Sequence, residues 1–453
     1  MTAIQPPGTG DRDSASAPIR ASALLSVEAA RELVLGAITE PVSTETMAVD
    51  DALGRVLAAP VGAATDLPPW DNSAMDGYAL RAADTAGATG AAPVRLRVAG
   101  EVRAGAAADR PVEAGTALRI ATGAPLPRRA DAVVPIEETT PLGEDGVAGS
   151  RGRDAAGPLP SACLVHVAVE VGGAVRRRGD DLRAGTTLLE AGEALGPAGI
   201  AIAAGSGNGW LTVRRRPRVA VLATGDEVRP PGTELGPAGI PDANGPGLAA
   251  LVAAAGGEPV RLGVAADALD DVLARLRGAI AAGVDAIVVS GGVSVGPYDV
   301  VKTAFEAIGR MDVWRVAVQP GKPFAFGTAE RPDGGQPVLL FGLPGNPVSG
   351  FVTFELFVRP AIRRLAGRRD LLRPADRAVL EEPVSKSQGR RAFLRVVSGP
   401  RDAQGRVRVR LAGGQGSHVL SALAAADALA VIPEQHDTLP AGAEVELWPL
   451  DRP

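Results

Sequence analysis

Hydrophobic positions along this chain of 453 residues keep different periods in different stretches. Behind Ser26, the run VEAARELVLGAI spaces its apolar residues along one helical face, and Ser26 is a suitable N-cap. Arg55 to Pro60 reads as a short strand. From Val94 to Glu137, short alternating segments broken by glycines predict a small β-rich domain. Leu182 to Thr212 likewise reads as short strands and glycines. The period changes at Arg218. RVAVLAT (218–224), Pro259 to Val264, Asp285 to Val289 and Val338 to Leu343 are continuous apolar runs, as strands covered on both faces require. Between them 247–255 and 267–282 read as helices. Asn346 is the expected N-cap, and Pro347 the first residue, of a long helix through Ala366. Strands and helices alternating in this way predict a three-layer α/β/α domain with a parallel, doubly wound sheet and right-handed crossovers. Alternation returns after Ala378 (AVLEEPV, AFLRVV, RVRVRL, VELWPL) and predicts a C-terminal β-barrel or sandwich.

Such a length calls for three or four domains. Aromatics are only 3% of residues, so the cores must rest on Ala, Val and Leu. A net charge of -5 argues against a nucleic-acid partner. With one cysteine, Cys163, there is neither an intramolecular disulfide nor a cysteine-based zinc site. With only 3 histidines as well, any metal should be a hard cation held by oxygens. No run of 18 apolar residues and no basic-plus-apolar start predicts a membrane span or signal peptide, so a cytoplasmic protein is expected. Met1 to Ala21 has the composition of a disordered tail, and Pro141 to Pro160 that of a mobile insertion.

Ligands of parallel α/β sheets bind beyond the carboxyl ends of the strands. Four segments fall there: Thr224-Gly225-Asp226-Glu227, Asp242-Ala243-Asn244, Ser290 to Gly296, and Pro344-Gly345-Asn346-Pro347 with Ser349 one turn into its helix. Ser290-Gly291-Gly292-Val293-Ser294-Val295-Gly296 separates a buried strand from a helix that Asp299 would cap. Its backbone amides are able to approach an anion closely. A tight βα turn without a ligand would have the same composition. No Walker motif is present, because Gly321-Lys322 is followed by Pro323. Several acids and glycine-rich loops on one sheet edge suit Mg²⁺ and phosphate. Elsewhere, LPPWDNSAMDGYAL (67–80) sets Asp71 and Asp76 in a polar loop. RRRGDD (176–181), ending in Asp181, reads equally as a solvated charged loop. His418, alone on the loop GQGSH, reads as structural.

Taken together, DNSAMDGYA (71–79), TGAPLP (122–127), RRRGDDL (176–182), TGDEV (224–228), SGGVSVG (290–296), QPGKPFAFG (319–327), GLPGNPVS (342–349) and GQGSHVLSAL (414–423) resemble, in order, the molybdopterin molybdenumtransferases. This is the molybdenum insertase family that includes the C-terminal part of gephyrin. The resemblance implies a homodimer of four-domain subunits. Behind the tail 1–21, these are a linking domain (22–62 with 176–213), a β-rich domain (63–175), an α/β molybdopterin-binding domain (214–367) and a C-terminal β-barrel (368–453). It implies a Mg²⁺-dependent reaction of adenylylated molybdopterin with molybdate that releases AMP. Asp71, Asp76, Asp181, Asp226, Glu227 and Asp242 would be catalytic, the last three holding Mg²⁺. Thr224, Gly225, Ser290, Gly291, Gly292, Ser294, Asp299, Lys322, Pro344, Asn346 and Ser349 would bind substrate and phosphate. Composite sites in the dimer, contact with the adenylylating enzyme and transfer to molybdoenzymes are further implications. The α/β segment alone also resembles the enzyme that adenylylates molybdopterin, and a non-catalytic carrier or scaffold is the third alternative. The chain departs from the family pattern at Asp180 (usually Glu), Ala243 (usually Ser), Gly245 (often basic) and Thr328 (often Lys).

Overall fold

The computed structural model describes residues 24–152, 157–292 and 300–450. They form two compact units, 24–43 with 214–450, and Thr44–Val213.

The first unit is built on a six-stranded sheet. Its strands are β1 (Arg218–Thr224), β2 (Glu258–Ala265), β3 (Ala286–Ser290), β4 (Arg310–Arg315), β5 (Pro323–Ala329) and β6 (Val338–Leu343). Their spatial order is β2-β1-β3-β6-β5-β4. β2, β1, β3 and β6 are parallel, as the unbroken apolar runs predict. β5 pairs antiparallel with β6, and β4 antiparallel with β5. This antiparallel edge was not read from the sequence.

Both faces are covered, which is why the strands carry no polar alternation. On one face Val219, Val221, Val288 and Phe341 pack with helix α1 (Asn244–Ala254), the helix that begins at Pro347, and the N-terminal helix Val27–Gly36. On the other, Ala220, Leu222, Ile287 and Leu340 pack against α2 (Leu269–Ala281) and α3 (Val300–Glu306). Ser26 caps the N-terminal helix as expected, accepting from Ala29 N at 3.1 Å. That helix, which the resemblance groups with the linking domain, buries Val27, Ala30 and Val34 in this core.

The long helix after Asn346 is present with two differences. Asn346 stands at the N-cap position, but its side chain makes no capping hydrogen bond. Phe354–Val358 form a π-turn just before Pro360, whose ring nitrogen has no N–H to donate back into the helix.

The C-terminal segment closes a five-stranded barrel in the order Arg391–Arg401, Val407–Leu411, Asp376–Leu380, Glu444–Pro449, Ala428–Ile432 and back to the first. Closure leaves the barrel without an open edge. Val318–Gln319 pairs with its first strand and ties it to the α/β domain.

In the second unit, a six-stranded sheet runs Ala132–Pro135, Gly77–Leu80, Thr116–Ile120, Val94–Val102, Ala162–Val165, Thr139–Leu142. A separate core gathers Val49, Leu57, Leu195, Ala203 and Leu211. Two expectations fail in this unit. Arg55 to Pro60 forms only isolated bridges at Val56 and Leu57. Within Leu182 to Thr212, Pro197–Gly205 is a helix with Pro197 in its first turn, where a missing N–H costs nothing.

Candidate active site

At the carboxyl ends of β1, β3 and β6 the α/β domain holds a cavity of about 580 Å³. It lies where the chain, having crossed from β1 to β2 on one side, returns to β3 on the other. That reversal is the place where open parallel sheets bind ligands.

Each wall is fixed by local backbone chemistry. Thr224 is buried at the end of β1, its hydroxyl 3.4 Å from Ser290 O. Gly291 has φ +100°, and a Cβ there would meet Thr224 O and Oγ1 at 2.8 Å, so only glycine fits. At Gly292 a Cβ would meet Val301 Cγ2 at 2.5 Å. A Cβ at Gly345 would stand 3.5 Å from Gly291 Cα, so the loops after β3 and β6 also approach backbone to backbone. Asn244, at the start of α1, donates to Ser290 Oγ and to Gly345 O, both at 2.7 Å.

The acids sit on one side. Asp242 is 4% exposed; its Oδ1 accepts from Gly245 N at 2.7 Å. Its Oδ2 is buried without a hydrogen-bond partner, and the Arg261 guanidinium stands 3.9 Å away. Glu227 lines the same cavity, as does Asp267, at the end of β2. Asp226 Oδ1 accepts from Asp267 N at 3.1 Å. Partial desolvation raises the Asp267 carboxyl above the ordinary aspartate range, and the charges of Asp226 and Glu227 add to the effect.

Of the sequence candidates, Thr224, Gly225, Glu227, Asp242, Ser290, Gly291, Gly292, Pro344 and Asn346 line this one cavity. Asp226 lies beside it, in the adjoining recess under the loop 234–239. Lys322 and Ser349 are not among its walls; their neighbours Pro323 and Pro347 are. Ser294 and Asp299 lie outside the described residues.

Asp71, Asp76 and Asp181 belong to the second unit. Asp71 accepts from Arg178 N at 2.8 Å and from Arg177 Nη1 at 2.7 Å, so the two motifs that carry them form one structure. The Arg178 amide, then the Arg177 guanidinium, hold its carboxyl below the ordinary range. Asp76 accepts from Thr122 N at 2.7 Å and lines a separate cavity of about 410 Å³ with Glu101, Arg103 and Arg119. Asp181 is exposed.

Among the polar residues of the wall, Asn244, Asp267 and His418 were not assigned to the site from the sequence. The strand-end rule would have found Asp267, the first acid after β2. Asn244 was visible only as part of a motif. His418 was legible only within the motif GQGSHVLSAL and read as structural; it arrives from the barrel, far along the chain from the helix start at Pro347.

A strand-end cavity with carboxylates on one side and glycine-rich backbone on another defines a doubly wound α/β domain with its candidate site at the switch point of the sheet. Sequence and structure comparisons give this class a family. Residues 25–207 match the MoeA N-terminal region (domain I and II), 220–364 a probable molybdopterin binding domain, and 377–450 the MoeA C-terminal region (domain IV). A molybdopterin molybdenumtransferase 2 of Mycobacterium tuberculosis is 39% identical over 412 residues, covering 89% of this chain and 95% of the relative. A molybdopterin molybdenumtransferase of Haemophilus influenzae is 33% identical over 432 residues, covering 94% and 99%. The crystal structure of a molybdopterin biosynthesis moea protein from Pyrococcus horikosii superposes with a TM-score of 0.75 at 32% identity, over 94% of this chain and 99% of that one. The chain belongs to the molybdopterin molybdenumtransferase family, which places it in molybdenum cofactor biosynthesis. No helix among the described residues is long and apolar enough to cross a membrane.

Proposed function

We propose that the protein inserts molybdate into adenylylated molybdopterin and releases AMP, in a Mg²⁺-dependent reaction. The observation that carries this reading is the cavity itself. Glycine-rich backbone from β3 and β6 meets carboxylates from β1 and the start of α1 in one volume large enough for a nucleotide's phosphates. Gly291 and Gly292 keep the backbone bare where phosphate oxygens would approach.

Among the described residues no group of three or more His, Cys, Asp or Glu forms a ready-made metal cluster. The donor set nevertheless fits Mg²⁺, which takes one or two carboxylates and completes its shell with water and phosphate oxygens. The Oδ2 of Asp242 is the strongest sign: it is buried without a hydrogen bond, Arg261 comes no closer than 3.9 Å, and a buried carboxylate oxygen so poorly matched is costly. Of the three acids that the resemblance assigns to the metal, Glu227 and Asp242 would hold the ion from the wall, with Asp226 in the adjoining recess; when bound it would neutralise pyrophosphate charge and polarise the phosphoryl oxygens. Gly245 N keeps the Asp242 carboxylate in place. Asn244 locks the β3 and β6 loops together and so orients the bound phosphates. Lys322 would add positive field from beside the wall.

The family resemblance supports a cytoplasmic homodimer with composite sites in which Asp71, Asp76 and Asp181 take part. It also supports contact with the adenylylating enzyme and delivery to molybdoenzymes. The deciding experiment incubates purified protein with adenylylated molybdopterin, Mg²⁺ and molybdate and follows AMP. Molybdate-dependent AMP release supports the reading; intact substrate after long incubation overturns it. Mixed dimers of Asp76→Asn and Asp226→Asn subunits regain activity only if sites are shared between subunits.

A further inference from the structure

The barrel contributes a side chain to the α/β cavity. His418 lines it together with Pro323, Asn346 and Pro347. Its loop is docked on the α/β domain by Val348 N, which donates to Ser417 O at 3.1 Å. From within the barrel, Arg395 holds the same loop. Arg395 is 0% exposed and donates from Nη2 to Gly414 O at 3.0 Å and to Gly416 O at 3.1 Å. Gln415 closes the clamp: its Oε1 accepts from Arg395 N at 2.9 Å and its Nε2 donates to Arg395 O at 3.1 Å. No carboxylate partners this guanidinium among the described residues, and its Nε and Nη1 are buried without hydrogen bonds. Burying a cation so incompletely matched is expensive. Such a cost is met where a loop must keep one shape at a functional site.

Charge and hydrogen bonding say what that shape is for. The ionisable side chains in the described wall are Glu227, Asp242, Asp267 and His418; no Lys or Arg is among them. The undescribed segment 293–299 contains no basic residue either. An oxyanion entering here meets carboxylates on one side, and the Asn244 amide is already engaged by Ser290 and Gly345. The His418 ring rests on bare backbone: a Cβ at Gly416 would lie 3.0 Å from its Cε1 and 3.3 Å from its Nδ1. With Asn244 engaged, the remaining side-chain nitrogen donors of the described wall are the Asn346 amide and the His418 ring.

We propose that His418 is a substrate-positioning residue of this cavity, its ring N–H donating a hydrogen bond to an oxyanion of the substrate, either a phosphate oxygen or molybdate. The proposal rests on the insertase function above. His418 is exposed, so its replacement leaves the fold intact. The test compares wild type, His418→Ala and His418→Gln in two assays. Calorimetric titration with AMP reads the phosphate and needs no turnover. The KM for molybdate in the AMP-release assay reads the other oxyanion. Loss of a hydrogen bond to a charged group predicts that His418→Ala weakens one of the two by about tenfold or more, with kcat changed less and an unchanged melting temperature. His418→Gln, which keeps an N–H donor, recovers part of the loss. Gly416→Ala, which pushes the ring aside, reproduces part of it. A weakened AMP affinity assigns the contact to phosphate, and a raised molybdate KM assigns it to molybdate. Unchanged values in both assays overturn the proposal. If wild type releases no AMP at all, the insertase function fails instead, and the AMP titration still decides whether His418 meets a phosphate.

Discussion

The Asn244 amide nitrogen stands 2.7 Å from Ser290 Oγ and, with its second hydrogen, 2.7 Å from Gly345 O. One side chain at the start of α1 thus joins the loops that follow β3 and β6. Without it, the buried Ser290 hydroxyl keeps, among the described residues, only Pro344 O, at 3.5 Å. Asn244→Ala is expected to cost about 1 kcal/mol of stability, a fall in melting temperature of about 3 °C. The cost in kcat/KM for AMP release should be larger, about tenfold or more, because the loops no longer hold one geometry. A melting shift with unchanged kcat/KM would confine the pair to stability.

Asp242→Asn separates charge from shape. The amide oxygen still accepts from Gly245 N, so the start of α1 keeps its hydrogen bond. The buried charge disappears, and stability is expected to hold or rise. Affinity for Mn²⁺, followed by its electron paramagnetic resonance signal as a stand-in for Mg²⁺, should fall at least about tenfold, the lower end of what even outer-shell partners contribute. Undiminished Mn²⁺ binding would remove Asp242 from the metal site.

Gly291→Ala should be among the most damaging small substitutions in the domain. The added methyl meets Thr224 O and Oγ1 at 2.8 Å, and φ +100° is strained for any L-residue. Loss of about 2 kcal/mol or more and of nucleotide binding is expected. Chemical denaturation beside an AMP titration checks both, and a stable, fully binding variant would contradict the close approach.

Asp71 predicts an acid-side dependence in the second unit. Its carboxyl is held below the ordinary range by the Arg178 amide and the Arg177 guanidinium. A depressed folded-state value means the stabilisation is present above the unfolded aspartate value of about 3.9 and is lost as pH falls through the folded one. Asp71→Asn should therefore melt below wild type at pH 7, with the gap closing as the pH drops below about 4. A gap independent of pH would show that the ion pair is not its cause.

Local rules carried much of the α/β domain. Val219, Val221, Ile287, Val289 and Leu340 read as doubly covered strands because a buried parallel strand must be apolar on both faces, and that demand is written residue by residue. Gly291 and Gly292 were legible for a related reason: a backbone that must turn at positive φ has few residues to choose from. Ser26 declared its helix start, whereas Asn346 occupies a cap position without capping, since a cap bond depends on the rotamer that neighbours allow.

The sequence by itself determined that β1, β3 and β6 are buried strands with acids and glycines at their ends, because strand burial and backbone conformation are properties of short segments. Only the tertiary structure decided which of those ends share a volume. It placed Asp267 and His418 in the wall, left Lys322 and Ser349 out of it, and engaged Asn244 with Ser290. It also set the antiparallel edge of β4 and β5, where Phe324 and Phe326 pack no differently from residues of parallel strands. The physical reason is distance along the chain: Asn244 and Ser290 are 46 residues apart, and Val348 and Ser417 meet only because the barrel docks. Contacts of that kind follow from how whole elements pack, and no local pattern encodes them.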